Sequence, residues 1–194
     1  MRTLRMVALV VPVPVALALV GLVHPHLLTP ETADRWAVLH IALLPVFPLL
    51  VLGFVVPLWG RPRRDAAGVA TVLAWVCAFI YAAFYTGLDT VAGVAAGTVA
   101  SNADGADVGR SVQALFDTGD ALGYVGTFAF GAAALAASVA LFLRYGARTL
   151  PGSLVVLAAS YSFVDSHIFW PRGVFTMLAF AAGFALIAVQ ARAK

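Results

Sequence analysis

The chain lacks most of what marks a water-soluble enzyme. Only 11% of its 194 residues are charged, against 62% hydrophobic, whereas a soluble domain carries about a quarter charged residues. Lipid is therefore the solvent for most of it. There is one lysine, Lys194, so no retinal Schiff base forms inside a helical bundle. There is one cysteine, Cys77, set in an apolar run, which excludes an internal disulfide and a cysteine-based metal site. Glycine-rich phosphate loops, G-x-S-x-G elbows, H-E-x-x-H and paired H-x-x-x-H are all missing. The formal charge of +3 comes from small basic groups at helix ends rather than from one stripe, so nucleic acid is not an expected partner.

What is present is a series of long apolar runs. A bilayer core needs roughly 20 helical residues per crossing. The runs predict helices at 6–23, 36–58, 67–92, 120–143, 151–168 and 173–190. The expected fold is an all-α polytopic membrane bundle of about six transmembrane helices, one transmembrane domain over 1–194. Arg2 and Arg5 ahead of an apolar core resemble a signal peptide, but no small-x-small cleavage site precedes His24-Pro25-His26, so the first run reads as a retained helix. Pro12, Pro14, Pro45 and Pro48 fall inside the first two spans and predict kinks there.

Cytoplasmic loops are enriched in Arg and Lys. With both termini in the cytoplasm, Arg2, Arg5, Arg61, Arg63, Arg64, Arg144, Arg148, Arg192 and Lys194 lie inside, leaving Arg35, Arg110 and Arg172 outside. Trp36 and Trp170 are then expected at the outer interface and Trp59 at the inner one. Eleven arginines against one lysine, amid Ala, Val and Gly, fit a GC-rich genome and point to a bacterial plasma membrane. Gly119, Gly123, Thr127 and Gly131 share one helix face, expected to pack tightly within the bundle or to seat a homodimer or partner membrane protein.

On this topology the ionisable groups gather near the outer face. His24 and His26 close the first span, His40 lies one turn into the second, and His167 ends the fifth. Asp165 falls below the outer interface, where ionisable side chains usually face the bundle interior and mark function. Three helices place a Tyr four residues before an Asp or after one: Tyr85 with Asp89, Tyr124 with Asp120, Tyr161 with Asp165. Asp117 and Asp120 also read as caps of a helix starting near 120, and Arg172 as a partner for Asp165 or Glu31.

Imidazoles backed by carboxylates are the usual ligands of zinc, copper or non-haem iron. His24, His40 and His167 come from three helices and make the expected metal set, with one haem held by two of them as the other compatible cofactor. Asp89, Asp165, Tyr85 and Tyr161 are the acid/base candidates. The pattern resembles, in architecture, the zinc-dependent ceramidase and adiponectin-receptor hydrolases. Those have seven spans and a paired histidine motif on the last helix, where residues 173–190 carry no histidine. In size and in its membrane carboxylic acids the chain is similar to small bacterial membrane terpene cyclases. The expected function is a membrane-embedded enzyme acting on a lipid-soluble substrate through a His/Asp/Tyr pocket near the outer leaflet. A small carrier or an accessory subunit of a membrane complex is the alternative.

Overall fold

A computed structural model describes residues 2–60 and 62–191. Arg61, Arg192 and Lys194, three of the basic residues counted for orientation, lie outside the described residues, as does the side chain of Arg2. The described chain is helical and without strands. Its helices are α1 (Arg2–Val10), α2 (Pro12–Gly21), α3 (Ala33–Leu43), α4 (Leu52–Val55), α5 (Ala66–Leu88), α6 (Ala96–Ser101), α7 (Gly109–Tyr145), α8 (Leu150–Ser166) and α9 (Arg172–Gln190). Four helical stretches are long and apolar enough to cross a membrane: Thr3–Gly21, Ala66–Ser101, Gly109–Tyr145 and Arg172–Gln190. A fifth is the bent pair of α3 with the stretch Phe47–Val55, angled by 40°.

The prolines act where their chemistry requires. Pro12 stands at the start of α2, where a missing N–H costs nothing, and α1 breaks from α2 at Val11. Pro45 and Pro48 interrupt the second span, whose middle tightens into a 3₁₀ turn at Phe47–Val51. The expected kink is present in the second span, while the first is interrupted at Val11 within one span, Thr3–Gly21. Elsewhere the ends are set by caps: Asp65 Oδ1 accepts from the Gly68 amide at 2.9 Å to start α5, and Gly146 at φ 75° stops α7.

Two boundaries differ from expectation. The third span does not stop at 92 but runs to Ser101 through a π-helical segment, Asp89–Ala95. The fourth helix begins at Gly109 rather than 120. Hydropathy marks where a chain meets lipid, whereas a helix continues into water as long as its backbone bonds continue. At about 1.5 Å per residue both are near 54 Å long, well beyond the ~30 Å hydrocarbon core. Asp117 and Asp120 consequently lie within α7 and do not cap it. Asp117 instead accepts from Gln113 Nε2 at 2.7 Å.

These two long helices form the spine. Ala70, Ala74 and Ala78 on α5 and Ala133, Ala134, Ala137 and Ala140 on α7 are all buried, because small side chains let backbones approach when lipid supplies no hydrophobic drive. The glycine face of α7 belongs to the same seam. A Cβ on Gly119 would meet Ala92, one on Gly123 would meet Leu88 and one on Gly126 would meet Tyr85, while nothing lies within 4 Å of Gly131. Gly119 and Gly123 are thus covered by the chain's own third span. Gly119→Leu is expected to destabilise the protein by about 1–3 kcal/mol through overpacking. Gly131→Leu is expected to leave it unchanged, as a fluorescence-detected thermal scan of the purified protein will show.

Around the spine Phe47, Phe54, Phe130, Phe163, Phe180 and Phe184 fill the core, all at most 2% exposed. At one end Arg144 Nη2 donates to Thr71 Oγ1 at 2.7 Å. The other end, more than four helical turns along α5, holds the histidines.

Candidate metal centre

His24 follows α2, His40 lies in the last turn of α3, and His167 ends α8. The structure brings them together. One ring nitrogen from each lies within 4.8 Å of the others. The ring centroids of His24 and His40 are 5.0 Å apart, those of His24 and His167 6.0 Å, and those of His40 and His167 6.2 Å. Imidazole nitrogens on a tetrahedral ion stand about 3.3 Å apart when each bond is about 2.05 Å. Moving each ring by less than about 1 Å therefore closes the set on one ion.

Each ring is already held from behind. His40 Nδ1 is 2.8 Å from the Trp36 carbonyl and His24 Nδ1 is 2.7 Å from the Pro25 carbonyl, so in both rings Nδ1 carries the proton and donates. His167 Nδ1 is 2.6 Å from the Tyr85 hydroxyl. The Nε2 atoms of His24 and His167 are buried with no hydrogen-bond partner. Fixing Nδ1 and leaving Nε2 bare is the arrangement that prepares a histidine to ligate a metal. Burial pushes the His24 imidazole down to about 4, so that ring is neutral at pH 7 with its lone pair available. Tyr85→Phe is expected to weaken zinc binding by about 10–100-fold, by removing the bond that orients His167. Chelator competition on the purified protein measures it.

His167 is held in an unusual backbone state, φ 43° and ψ −131°. A side chain at positive φ of this kind costs of order 1–3 kcal/mol and persists only where its surroundings fix it. Here the Tyr85 bond and the rings of Phe47 and Phe169, at 5.1 and 5.2 Å, do so. His40 is seated by Gly93, whose missing side chain leaves the space that the imidazole fills. Gly93 lies in the π segment. Thr86 and Thr90, which return their hydroxyls to the carbonyls four residues back, precede and open it, and Trp36 Nε1 takes the Ala92 carbonyl at 3.1 Å. π segments recur at functional sites.

Asp89 opens the same segment, on the buried face that Tyr81 and Tyr85 begin. It is 1% exposed, and neither carboxylate oxygen has a hydrogen-bond partner. Asp89, His40, His167 and Tyr85 line one cavity of about 330 Å³ that continues past Phe116 and Phe163. Asp89 shares this cavity with His40 and His167 but is not one of the three residues whose ligand atoms cluster.

The other expected residues are placed differently. Tyr161 is 81% exposed on the outside of α8 and takes no part. Asp165 reaches the edge of the cavity but is bound to Arg172 Nη2 at 2.7 Å, with both side chains more than half exposed. Of the three Tyr/Asp pairs, those on α5 and α7 and Asp165 of α8 line this one cavity and Tyr161 does not, but only the α5 pair is buried, where Tyr81 joins it and donates to the Phe47 carbonyl at 3.0 Å. His26 is exposed and stacks on Phe169 outside the cluster. Trp36 is not an interface anchor: it is 5% exposed, packed on His24 and His40. Trp59 and Trp170 are exposed, at 78% and 48%. Trp36, Gly93 and the π turn escape sequence reasoning, since an apolar helix carries no mark of where its register changes.

Comparison with protein-family models, with curated proteins and with solved structures gives no match for this chain. The class it falls in is that of multi-pass helical membrane proteins with a buried histidine cluster.

Proposed function

We propose that the protein is a membrane-embedded metalloenzyme acting on a lipid-soluble substrate, with zinc held by His24, His40 and His167. The observation that carries this reading is the pairing of three imidazoles, each anchored through Nδ1, with a buried carboxyl that has no partner of its own. Three protein ligands with a fourth position open is the arrangement of catalytic zinc, which polarises carbonyls and lowers the pKa of water. Asp89, in the same cavity, is the general base or acid, and Tyr85 orients His167 from behind. Asp165 is the edge of the mouth, clasped to Arg172, and not the proton donor.

Six spans with both termini in the cytoplasm complete the reading. α8 has 17 residues, about 26 Å of helix, which nearly crosses a hydrocarbon core between the longer helices. The site then lies toward the outer leaflet, at the far end of the bundle from the Arg144 contact. A bacterial plasma membrane is the setting that the arginine-rich composition favours.

The test uses zinc-loaded protein in nanodiscs containing a total bacterial lipid extract. Mass spectrometry before and after incubation is expected to show loss of one lipid class with the wild-type protein and none with Asp89→Asn. Identical lipid profiles would sink the enzymatic reading and leave a carrier or accessory subunit.

A further inference from the structure

The cavity has a definite charge character. Asp89 lies inside it and Asp120 and Asp165 at its edge, yet among the described residues no Arg or Lys lines it. Arg172 is committed to Asp165 at 2.7 Å and to Ser162 Oγ at 3.3 Å, and Arg35, near His24, donates to the Val23 carbonyl. Sites built for phosphate or carboxylate heads use Arg or Lys clamps, commonly bidentate. Neither Arg172 nor Arg35 lines the cavity. If the reading of the histidines as a zinc site is right, on which this inference rests, the ion brings two positive charges. Asp120 adds a negative charge at the mouth, and the Asp165–Arg172 pair is neutral. An uncharged head meets no repulsion there.

The mouth has a direction as well. Asp120 and Tyr124 on α7 and Asp165 on α8 are exposed and line the cavity, so it opens between these two helices. Just along α7 from the mouth, Val125 is 43% and Phe128 64% exposed, and Tyr161 on α8 is 81% exposed. These apolar side chains face the lipid beside the opening. The interior walls are aromatic, with Phe116, Phe163 and Phe169 around the carboxyl and the imidazoles. About 330 Å³ holds a head group and the first carbons of a chain, and the rest of the chain stays in lipid along the α7–α8 face.

We infer that the cavity admits, sideways from the membrane, a single-chain amphiphile whose head is an uncharged carbonyl or hydroxyl group, and that Asp120 turns anionic heads away. The ligand is an amide, ester or alcohol, not a phospholipid phosphate or a fatty acid.

The experiment uses full-length protein in phosphatidylcholine nanodiscs and a decanamide bearing a diazirine beside its head. Crosslinks are expected on the peptides containing Phe116 to Phe128 and Tyr161 to Phe169. Unlabelled decanamide should suppress them at concentrations at least tenfold below those needed for decyl phosphate or decyltrimethylammonium. Asp120→Lys should shrink the advantage over decyl phosphate by at least tenfold. Equal or better competition by decyl phosphate overturns the inference, as does better competition by the ammonium compound or labelling elsewhere on the protein. Metal content measured on the same samples separates the two readings. Protein that carries no metal yet prefers decanamide sinks the zinc site alone, and metal-loaded protein that prefers decyl phosphate sinks the uncharged ligand alone.

Discussion

Purified protein is expected to carry about one zinc per chain, and His24→Ala, His40→Ala and His167→Ala each to lose it, whereas His26→Ala keeps it. Structural zinc with four ligands is bound by about 10–16 kcal/mol, so each ligand accounts for roughly 3 kcal/mol, or on the order of a hundredfold in affinity. Here only three protein ligands are available, and each has a bond from behind that loses its purpose when the ring is removed. His26 is the control because it lies two residues from His24 but stacks on Phe169 instead of joining the cluster. Elemental analysis after gel filtration, covering zinc, copper and iron, gives the answer. Equal metal in wild type and all three variants, or in none, ends the case for the centre. A purification that finds copper or iron in place of zinc keeps the ligands and changes the chemistry.

Asp89 is expected to behave in the opposite way for stability and for function. A buried acid with both oxygens unpartnered costs about 1–3 kcal/mol or more, and native proteins keep such groups mainly where they are used. Asp89→Leu should therefore raise the thermal stability of metal-free protein by roughly 1–3 kcal/mol while abolishing turnover of the lipid class found in nanodiscs. Asp89→Asn should keep the zinc and still lower turnover by about 10²–10⁴-fold, the usual contribution of a positioned acid or base. A loss of stability in Asp89→Leu would mean that the carboxyl has a structural partner, and would remove it from the chemistry.

The sequence carries the membrane character, the proline breaks and the three metal-ligand candidates on its face, because each rests on a local signal: run length, a missing N–H, a rare residue type. It does not carry the depth or direction of individual side chains. Asp89 and Asp165 look equivalent as text, each following a tyrosine by four positions. Four residues of perfect α-helix would turn both the same way, but neighbouring helices decide which face is inside. On α8 that face is lipid-exposed, and Arg172 five residues beyond the turn captures Asp165. On α5 the face that carries Tyr81, Tyr85 and Asp89 at four-residue spacing is the one turned into the bundle. The start of α7 was hidden for a related reason. Residues 109–119 are too polar to read as a span, yet they continue its helix.

His24 and His167 sit in opposite parts of the chain, and His40 is seated against Gly93 in the segment that follows α5. During synthesis the first two ligands enter the membrane well before the third exists. The cluster is complete only after α8 has been inserted and the turn at His167 has closed on Tyr85. On the zinc reading proposed above, capture of the ion is then a late event in biogenesis. A chain halted before Ser166 would reach the bilayer with most of its helices and no means of acquiring the ion, so metal content would report on whole-chain insertion as directly as it reports on the site.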